Sequence, residues 1–309
     1  MANINQRDSE ASPRRTQVSV IIVNWNAQAD LLNCLASLDR SRSEIVQFDV
    51  WVVDNASKDG SVQAVKTQYP NVNVIANAIN LGFSAANNQA ITQSNSDYVF
   101  LLNSDAYVHA GCLTALLSFA TSNTRAAIIG PKVLNTNNTI QQSCRRFPTL
   151  GAGFFRNTLL GSLFPKNKYA YEYLMGDFMH DVVREVDWIS GCAMWMRRDF
   201  LTSHGTLDER FFMYCEDVDI CNRAWKSGSA VMYVPTGTVT HAIGRSSDKN
   251  AEQMIKEFHR SWYLYDLKTH PNALVLRRVA VYLGLQLRAW VRIFRRYLAR
   301  RRVKGGVDK

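Results

Sequence analysis

The sequence predicts an α/β fold: a doubly wound, mostly parallel sheet, then a less regular second half, then a C-terminal amphipathic helix. Three observations carry this expectation. Over residues 18–105, short apolar runs alternate with segments of helical spacing at the pitch of βαβ units, which wind right-handed about a parallel sheet. The runs are continuous, as strands buried on both faces are, and polar clusters follow them. The composition, 47% hydrophobic and 20% charged over 309 residues, supplies core for one large domain or two small ones.

Residues 1–17 are polar and lack an apolar stretch, so they read as a disordered arm and not as an export signal. Residues 18–23 (VSVIIV) form the first strand. Leu31, Leu32, Leu35 and Leu38 give a helix over 31–38, with Asp30 placed to cap it. Strands are expected over 48–53, 72–76 and 98–102, with helices over 61–69 and 84–94 between them. In the second half, a helix over 113–121 precedes a strand over 127–134, expected to break at Gly130-Pro131. Residues 141–185 show no period and read as a long functional loop region. A strand over 187–196 contains Gly191, which suggests a bulge or a close backbone approach. A short helix over 199–203, a helix over 216–226, a strand over 231–234, a loop from Thr240 and a helix over 252–267 complete the folded part.

The net charge of +10 is concentrated. Between residues 273 and 307 there are ten Lys or Arg and no acid, so the remainder is nearly neutral. A nucleic-acid binder would carry its basic surface on the folded domain, so no nucleic-acid partner is expected. Arg277, Arg288, Arg292 and Arg295 recur on one helical face, with Leu283, Trp290, Ile293, Phe294 and Tyr297 elsewhere. Such a helix suits the surface of an anionic membrane or, alternatively, packs on the domain. No apolar run reaches the roughly 18 residues that a spanning helix needs. The cysteines (34, 112, 144, 192, 215 and 221) lack CxxC spacing and read as reduced thiols, not disulfides or a zinc site.

Four polar clusters sit where first-half strands end: Asn24-Trp25-Asn26, Asp54-Asn55, Asn80-Leu81-Gly82-Phe83 and Asn103-Ser104-Asp105. Ligands of doubly wound sheets bind outside the carboxyl ends of the strands, so four clusters on that edge describe a cleft. Trp25 offers a flat face for a base. Asp54 can accept from a base N–H or a ribose hydroxyl. Gly82 permits close backbone approach at a helix start, whose N–H groups suit phosphate. Asp105 can hold a divalent cation at the cleft mouth, or merely make a turn with Asn103 and Ser104. There is no GxGxxG, GKS or GKT, which excludes the Rossmann and P-loop readings.

The segments VSVIIVNWN, VVDNASKDGS, NLGFSAANNQAI, LLNSDA and MYCEDVDICNR, in this order, resemble glycosyltransferase family 2, the inverting enzymes with the GT-A fold. Within that family the chain is most similar to the bacterial rhamnosyltransferase group. The resemblance spans 18–270 and implies a nucleotide-sugar half (18–105) and an acceptor half (106–270), with 271–309 as a basic tail. It implies that Val23 and Trp25 border the base, that Asp54 bonds its imide edge, and that Asn80, Gly82, Phe83, Asn103 and Ser104 complete the donor site. Asp105 matches the last acid of the family's DxD motif and would hold Mg²⁺ or Mn²⁺ against the diphosphate. Asn103 stands where the first acid is expected, which weakens the ion and calls for another ligand. His241 fills that place by resemblance to relatives with a histidine after the last core strand.

Glu216 and Asp217 match the family's ED motif, with Asp217 as the base that takes the acceptor's proton. Trp188, Gly191, Cys192 and Glu216 would lie on the acceptor side, with Trp195 in the core. Asp219 and Arg223 read as a structural i,i+4 pair. Arg145, Arg146 and Phe147 either touch a diphosphate or acceptor, or form a solvated basic loop. The expected activity is transfer of L-rhamnose from dTDP-rhamnose to a lipid-linked or cell-surface glycan, in the cytoplasm on the inner face of the membrane. Other donors (UDP-galactofuranose, UDP-GlcNAc or UDP-glucose) stay open. A sugar nucleotidyltransferase would need a GxGTR-type loop where this chain has NWNAQAD. A non-catalytic glycan- or membrane-binding scaffold would not need Asp54, Asp105 and Asp217.

Overall fold

The computed structural model of the chain describes residues 17–42, 46–149, 151–152, 163–164, 167–242 and 251–304. The arm expected over 1–17 lies, apart from Gln17, outside the described residues. The first half alternates as its apolar pattern dictates: β1 (Gln17–Asn24), α1 (Gln28–Arg40), β2 (Gln47–Asp54), α2 (Ser61–Gln68), β3 (Asn73–Ala76), α3 (Phe83–Gln93) and β4 (Tyr98–Leu102). Then come β5 (Ala106–Val108), α4 (Cys112–Ser122), β6 (Ala126–Leu134), β7 (Cys144–Arg145), α5 (Lys168–Tyr173), β8 (Arg184–Glu185) and β9 (Trp188–Ile189). The chain continues through β10 (Ala193–Arg197), α6 (Arg198–His204), α7 (Glu216–Lys226), β11 (Ala230–His241), α8 (Ala251–Thr269) and α9 (Val275–Lys304).

The main sheet runs β3-β2-β1-β4-β10-β6-β11-β5, with β8 beside β11; β7 and β9 form a separate ladder. β1 is parallel to β2 and β4, and β2 to β3, which brings the ends of these strands to one edge. The strand order reverses between β1 and β4, and that switch point opens the crevice expected of such a sheet. Both faces are covered. Val18, Val20 and Ile22 of β1 pack in one core with Leu31, Leu35 and Phe100, while Ile21 joins Val53, Leu101 and Met194 in the other. This two-residue period explains why the strand sequences are apolar throughout.

The second half departs from the pattern in four places. β6 is unbroken through Gly130-Pro131. β10 pairs with it only at Ile128 and Ile129, so no β10 partner awaits an N–H from Pro131. At Gly130 an added Cβ would lie 2.5 Å from the Ile189 side chain, so the glycine admits β9 rather than ending the strand. The strand expected over 187–196 is two strands in two sheets, with Gly191 in the turn between them. β11 extends to His241, past a register shift between Val234 and Thr238, where a loop was expected from Thr240. β5 lacks a sequence signal of its own and exists because β11 pairs with it antiparallel. Asp30 lies in the first turn of α1 and does not cap it: helix entry at Gln28 is held by Asp59 Oδ2, 2.9 Å from the Gln28 amide.

One contact joins the two halves at the crevice. Gly82 precedes α3 with φ +85° and ψ 179°, a region almost restricted to glycine. A Cβ there would stand 2.4 Å from the Phe212 carbonyl oxygen, and the next amide, Phe83 N–H, donates to that oxygen at 2.6 Å. Gly82→Ala meets both strain and collision. Gly111, with φ +77° and nothing within 4 Å of its Cβ position, meets strain alone. Calorimetry should therefore find Gly111→Ala costing about 1–2 kcal/mol and Gly82→Ala clearly more. Equal costs would mean that the Phe212 contact is dispensable.

Candidate active site

The ends of β1 and β2 are tied into one polar cluster. Asn24 is buried, and its Nδ2 donates to Asp54 Oδ1 at 2.9 Å and to Ser57 Oγ at 3.2 Å. Asp54 Oδ2 accepts from the Ser57 amide at 2.8 Å. Asp54 is 2% exposed, so it fixes the 54–57 turn, and each oxygen keeps lone-pair capacity for one more donor. Asn55 Nδ2 donates to the Gly82 carbonyl at 3.0 Å and Asn80 Oδ1 accepts from the Gly82 amide at 2.9 Å, which joins the β2 end to the start of α3. Val23, Trp25, Asn80 and Phe83 line this edge half-buried, and Ser104 is buried. The backbone approach that Gly82 permits is to Phe212, and the first amide of α3 is spent there.

The second cluster follows β4. Antiparallel pairing sets Ala106 of β5 opposite His241 of β11. This brings His241 Nε2 within 3.2 Å of Asp105 Oδ1 and 3.3 Å of Asn103 Nδ2. His241 Nδ1 lies 2.8 Å from Gln141 Oε1. Burial would pull this imidazole below its ordinary value, but the neighbouring Cys192 and Asp105 outweigh it and push it up to about 10. Both ring nitrogens then donate, one to each oxygen. Turning the Asn103 amide presents its oxygen to the same point. One carboxylate, one amide oxygen and one imidazole fit Mg²⁺ or Mn²⁺ in an open site completed by substrate phosphate and water. Among the described residues, no three His, Cys, Asp or Glu form a closed cage.

The third cluster opens α7. Tyr214 and Cys215 hold φ +71° and +67° immediately before Glu216, a strained approach for non-glycine residues. α8 grips this turn: Ser261 Oγ donates to the Met213 carbonyl at 2.8 Å, and the Tyr214 and Phe258 rings meet edge-on at 5.4 Å. Lys268 bridges Asp208 and Asp219, 2.7 Å from each, and Arg223 holds Asp219 from the other side at 3.0 Å, so Asp219 is structural. Asp217 Oδ2 accepts from the Gly191 amide at 3.1 Å, and Oδ1 from the Val218 amide at 2.8 Å. Burial raises the Asp217 carboxyl above its ordinary value, and the Gly191 and Val218 amides and the charge of Arg145 offset only part of that rise. Glu216 lies deeper, and its buried Oε2 has no hydrogen-bond partner. Burial first, and the charge of Asp217 second, raise it well above the ordinary carboxylate range. Glu216 therefore holds the pair's proton, and Asp217 can ionise beside it.

The fold thus brings Asp54, Asn80, Gly82, Phe83, Asn103, Asp105, Gly191, Glu216, Asp217 and His241 to one edge. Trp188 and Cys192 are buried: Trp188 donates its Nε1–H to the Arg146 carbonyl at 2.8 Å, and the Cys192 carbonyl accepts from the Asn103 amide at 2.9 Å. Asn24, named above in the cluster that ends β1, joins the site as the link between β1 and Asp54, whereas Gln141 and Phe212 join it without having been singled out. Gln141, a hundred residues from His241, carries no signal.

The Glu216 shift has a measurable sign. Its folded value exceeds the unfolded one near 4.5, so the folded chain binds this proton more tightly, and stability falls as pH rises from the unfolded value toward the folded one. Glu216→Gln is neutral at every pH. It should match the parent below about pH 4 and melt higher at about pH 8. Equal melting at both would mean that Glu216 ionises freely.

Three comparisons bear on this geometry. Residues 19–180 match the glycosyl transferase family 2 model. An N-acetylglucosaminyl-diphospho-decaprenol L-rhamnosyltransferase of Mycobacterium tuberculosis is 31% identical over 262 residues, 81% of this chain and 84% of that protein. Rhamnosyltransferase WbbL of Escherichia coli K12 is 27% identical, over 80% of this chain and 89% of its own length. Among solved structures, mannosyltransferase PcManGT from Pyrobaculum calidifontis, in complex with GDP-Man and Mn²⁺, superposes with a TM-score of 0.56 at 14% identity, over 90% of this chain and 70% of that one. The structural likeness bears out the fold, and the matched family together with the 31% identical relative makes this chain a member of glycosyl transferase family 2.

Proposed function

We propose that this chain transfers L-rhamnose from dTDP-rhamnose to a lipid-linked glycan, with inversion at the anomeric carbon and with help from a divalent cation. The observation that carries this reading is the convergence of two chemistries on one sheet edge: a carboxylate aimed by the Gly191 and Val218 amides, and the Asp105–His241 pair. The names of the two rhamnosyltransferase relatives support the sugar, and the mycobacterial name supports a sugar-diphospho-lipid acceptor.

In this reading Asp217 takes the acceptor hydroxyl's proton as the hydroxyl oxygen bonds to the anomeric carbon. The bond from that carbon to the donor diphosphate breaks on the opposite face, and dTDP leaves. Asp105, His241 and Asn103 would hold Mg²⁺ or Mn²⁺, which when bound supplies positive charge against the departing diphosphate. To hold the ion, His241 would give up the proton on its ligating nitrogen. Val23 and Trp25 border the base, with Asp54 toward its imide edge.

A thermal-shift panel tests this reading, because a ligand that binds only the folded state stabilises it. dTDP-rhamnose with Mn²⁺ should raise the melting temperature more than UDP-galactofuranose, UDP-GlcNAc or UDP-glucose, and Asp105→Ala should abolish the Mn²⁺ dependence. Asp217→Asn should keep the shift yet lose at least ~10²-fold in transfer. A larger shift with a UDP-sugar would reassign the donor. Full transfer by Asp217→Asn would remove the base.

We further propose peripheral attachment to an anionic, inner-leaflet surface through α9. No helix among the described residues is long and apolar enough to cross a membrane. α9 packs on α8 through Arg277, which holds Asp266 at 2.7 and 2.8 Å, and Arg292, which lies over Phe258. Arg277 is thus paired with an acid that lies outside the acid-free 273–307 segment. The outward stripe is apolar: Leu276, Val279, Leu283, Leu287, Trp290 and Phe294 recur at helical spacing, with Leu276 80% and Trp290 70% exposed. The double variant Trp290→Glu, Phe294→Glu should stop sedimenting with phosphatidylglycerol vesicles while keeping its donor shift. Unchanged sedimentation would reject this face.

A further inference from the structure

Arg145 is unlike the other arginines around it. Arg146 pairs with Asp187 at 3.0 Å and Arg184 with Asp177 at 3.2 Å. Arg145 has no carboxylate within ion-pair distance among the described residues. Its guanidinium lies over the Trp188 ring, 5.0 Å from the centroid, fixed there by the β7–β9 ladder that sets Arg145 opposite Trp188. Trp188 is itself buried and anchored through its Nε1–H, so the platform is rigid. Of five N–H donors, one bond is made, from Nη2 to the Gln142 carbonyl at 3.2 Å, and Nε is shielded from water with no partner.

A half-buried guanidinium without a counter-ion costs stability unless an anion arrives to complete it. A stacked guanidinium is also pre-oriented for phosphate, which it grips with two parallel bonds. Its ladder partner Trp188 stands three residues before Gly191, whose amide holds Asp217, so Arg145 sits on the acid-pair side of the cleft. The Asp105–His241 pair lies at the same end of the β4–β10 junction but on its other flank, where β5 meets β11.

We propose that Arg145, held on Trp188, binds the diphosphate of a sugar-diphosphate substrate. This rests on the transferase reading above. Two diphosphates enter such a reaction, the donor's and the lipid acceptor's. The acid-pair side favours the acceptor's, one sugar ring away from the hydroxyl that faces Asp217.

Titration calorimetry on the full chain separates the sources with three probes: a short-chain prenyl-diphospho-GlcNAc, octyl-GlcNAc without phosphate, and dTDP with Mn²⁺. Arg145→Met should weaken the prenyl diphosphate about tenfold or more, as loss of a charged hydrogen bond does, and leave the other two unchanged. Weakening of dTDP alone would keep the diphosphate assignment and make it the donor's. Equal weakening of prenyl-diphospho-GlcNAc and octyl-GlcNAc, or weakening of none, overturns the proposal. Arg145→Lys, which keeps charge and loses the fork, should fall between parent and Met; it carries the test alone should Arg145→Met not fold, and parent-like binding by it would then overturn the proposal. If the parent chain itself does not bind the prenyl diphosphate, the acceptor reading fails, and the dTDP arm then decides the role of Arg145.

Discussion

β10 runs antiparallel to β4, with Ala193 opposite Leu102 and the Asn103 amide donating to the Cys192 carbonyl. In an all-parallel sheet the chain entering this position would begin at the far edge. Reversed, it begins where β4 ends, so the turn before it is delivered to the edge that carries Asp105. The Gly191 amide in that turn holds Asp217, while on the other flank β11 brings His241 to Asp105. The Asp105–His241 pair and an acid pair therefore share one edge because one strand is inverted. The Phe212–Gly82 contact then closes the acid-bearing loop against the first half.

The three acids of the first turn of α7 follow each other in sequence and meet three environments. Glu216 is buried, with no hydrogen-bond partner for its Oε2, and kept protonated. Asp217 is held by two amides. Asp219 is neutralised by Arg223 and Lys268. The helix N-terminus favours a carboxylate at all three positions, so the difference comes from burial and partners contributed by the β9–β10 turn, α7 itself and α8. The same logic, reversed, applies to His241, where the neighbouring Cys192 and Asp105 outweigh burial and keep the imidazole charged.

The first half was legible because each strand and helix there is a local apolar pattern closed by a local polar cluster. The ends of β1, β2 and β4 fall within one residue of where the apolar runs stop. The second half was less so, because its strands are defined by partners far away. β5 is three residues long, β9 and β10 belong to different sheets although only Ser190, Gly191 and Cys192 separate them, and β11 continues to His241 only because β5 and β6 pair with it. Motif residues such as Asp105 and Asp217 were readable by type. That Trp188 is buried under Arg145, or that Gln141 orients His241, depends on packing and leaves no periodic trace.

The grip of α8 on the strained Tyr214–Cys215 turn has a consequence for how the chain is made. Synthesis proceeds from the N-terminus, and the βαβ half can pair its strands as soon as β4 emerges. The turn cannot hold its positive-φ geometry until Ser261 and Lys268 exist to bind it. A nascent chain can thus assemble the edge formed by the ends of β1, β2 and β4 well before Asp217 is locked into place. Full assembly of the reactive edge is deferred until nearly all of the folded chain has left the ribosome.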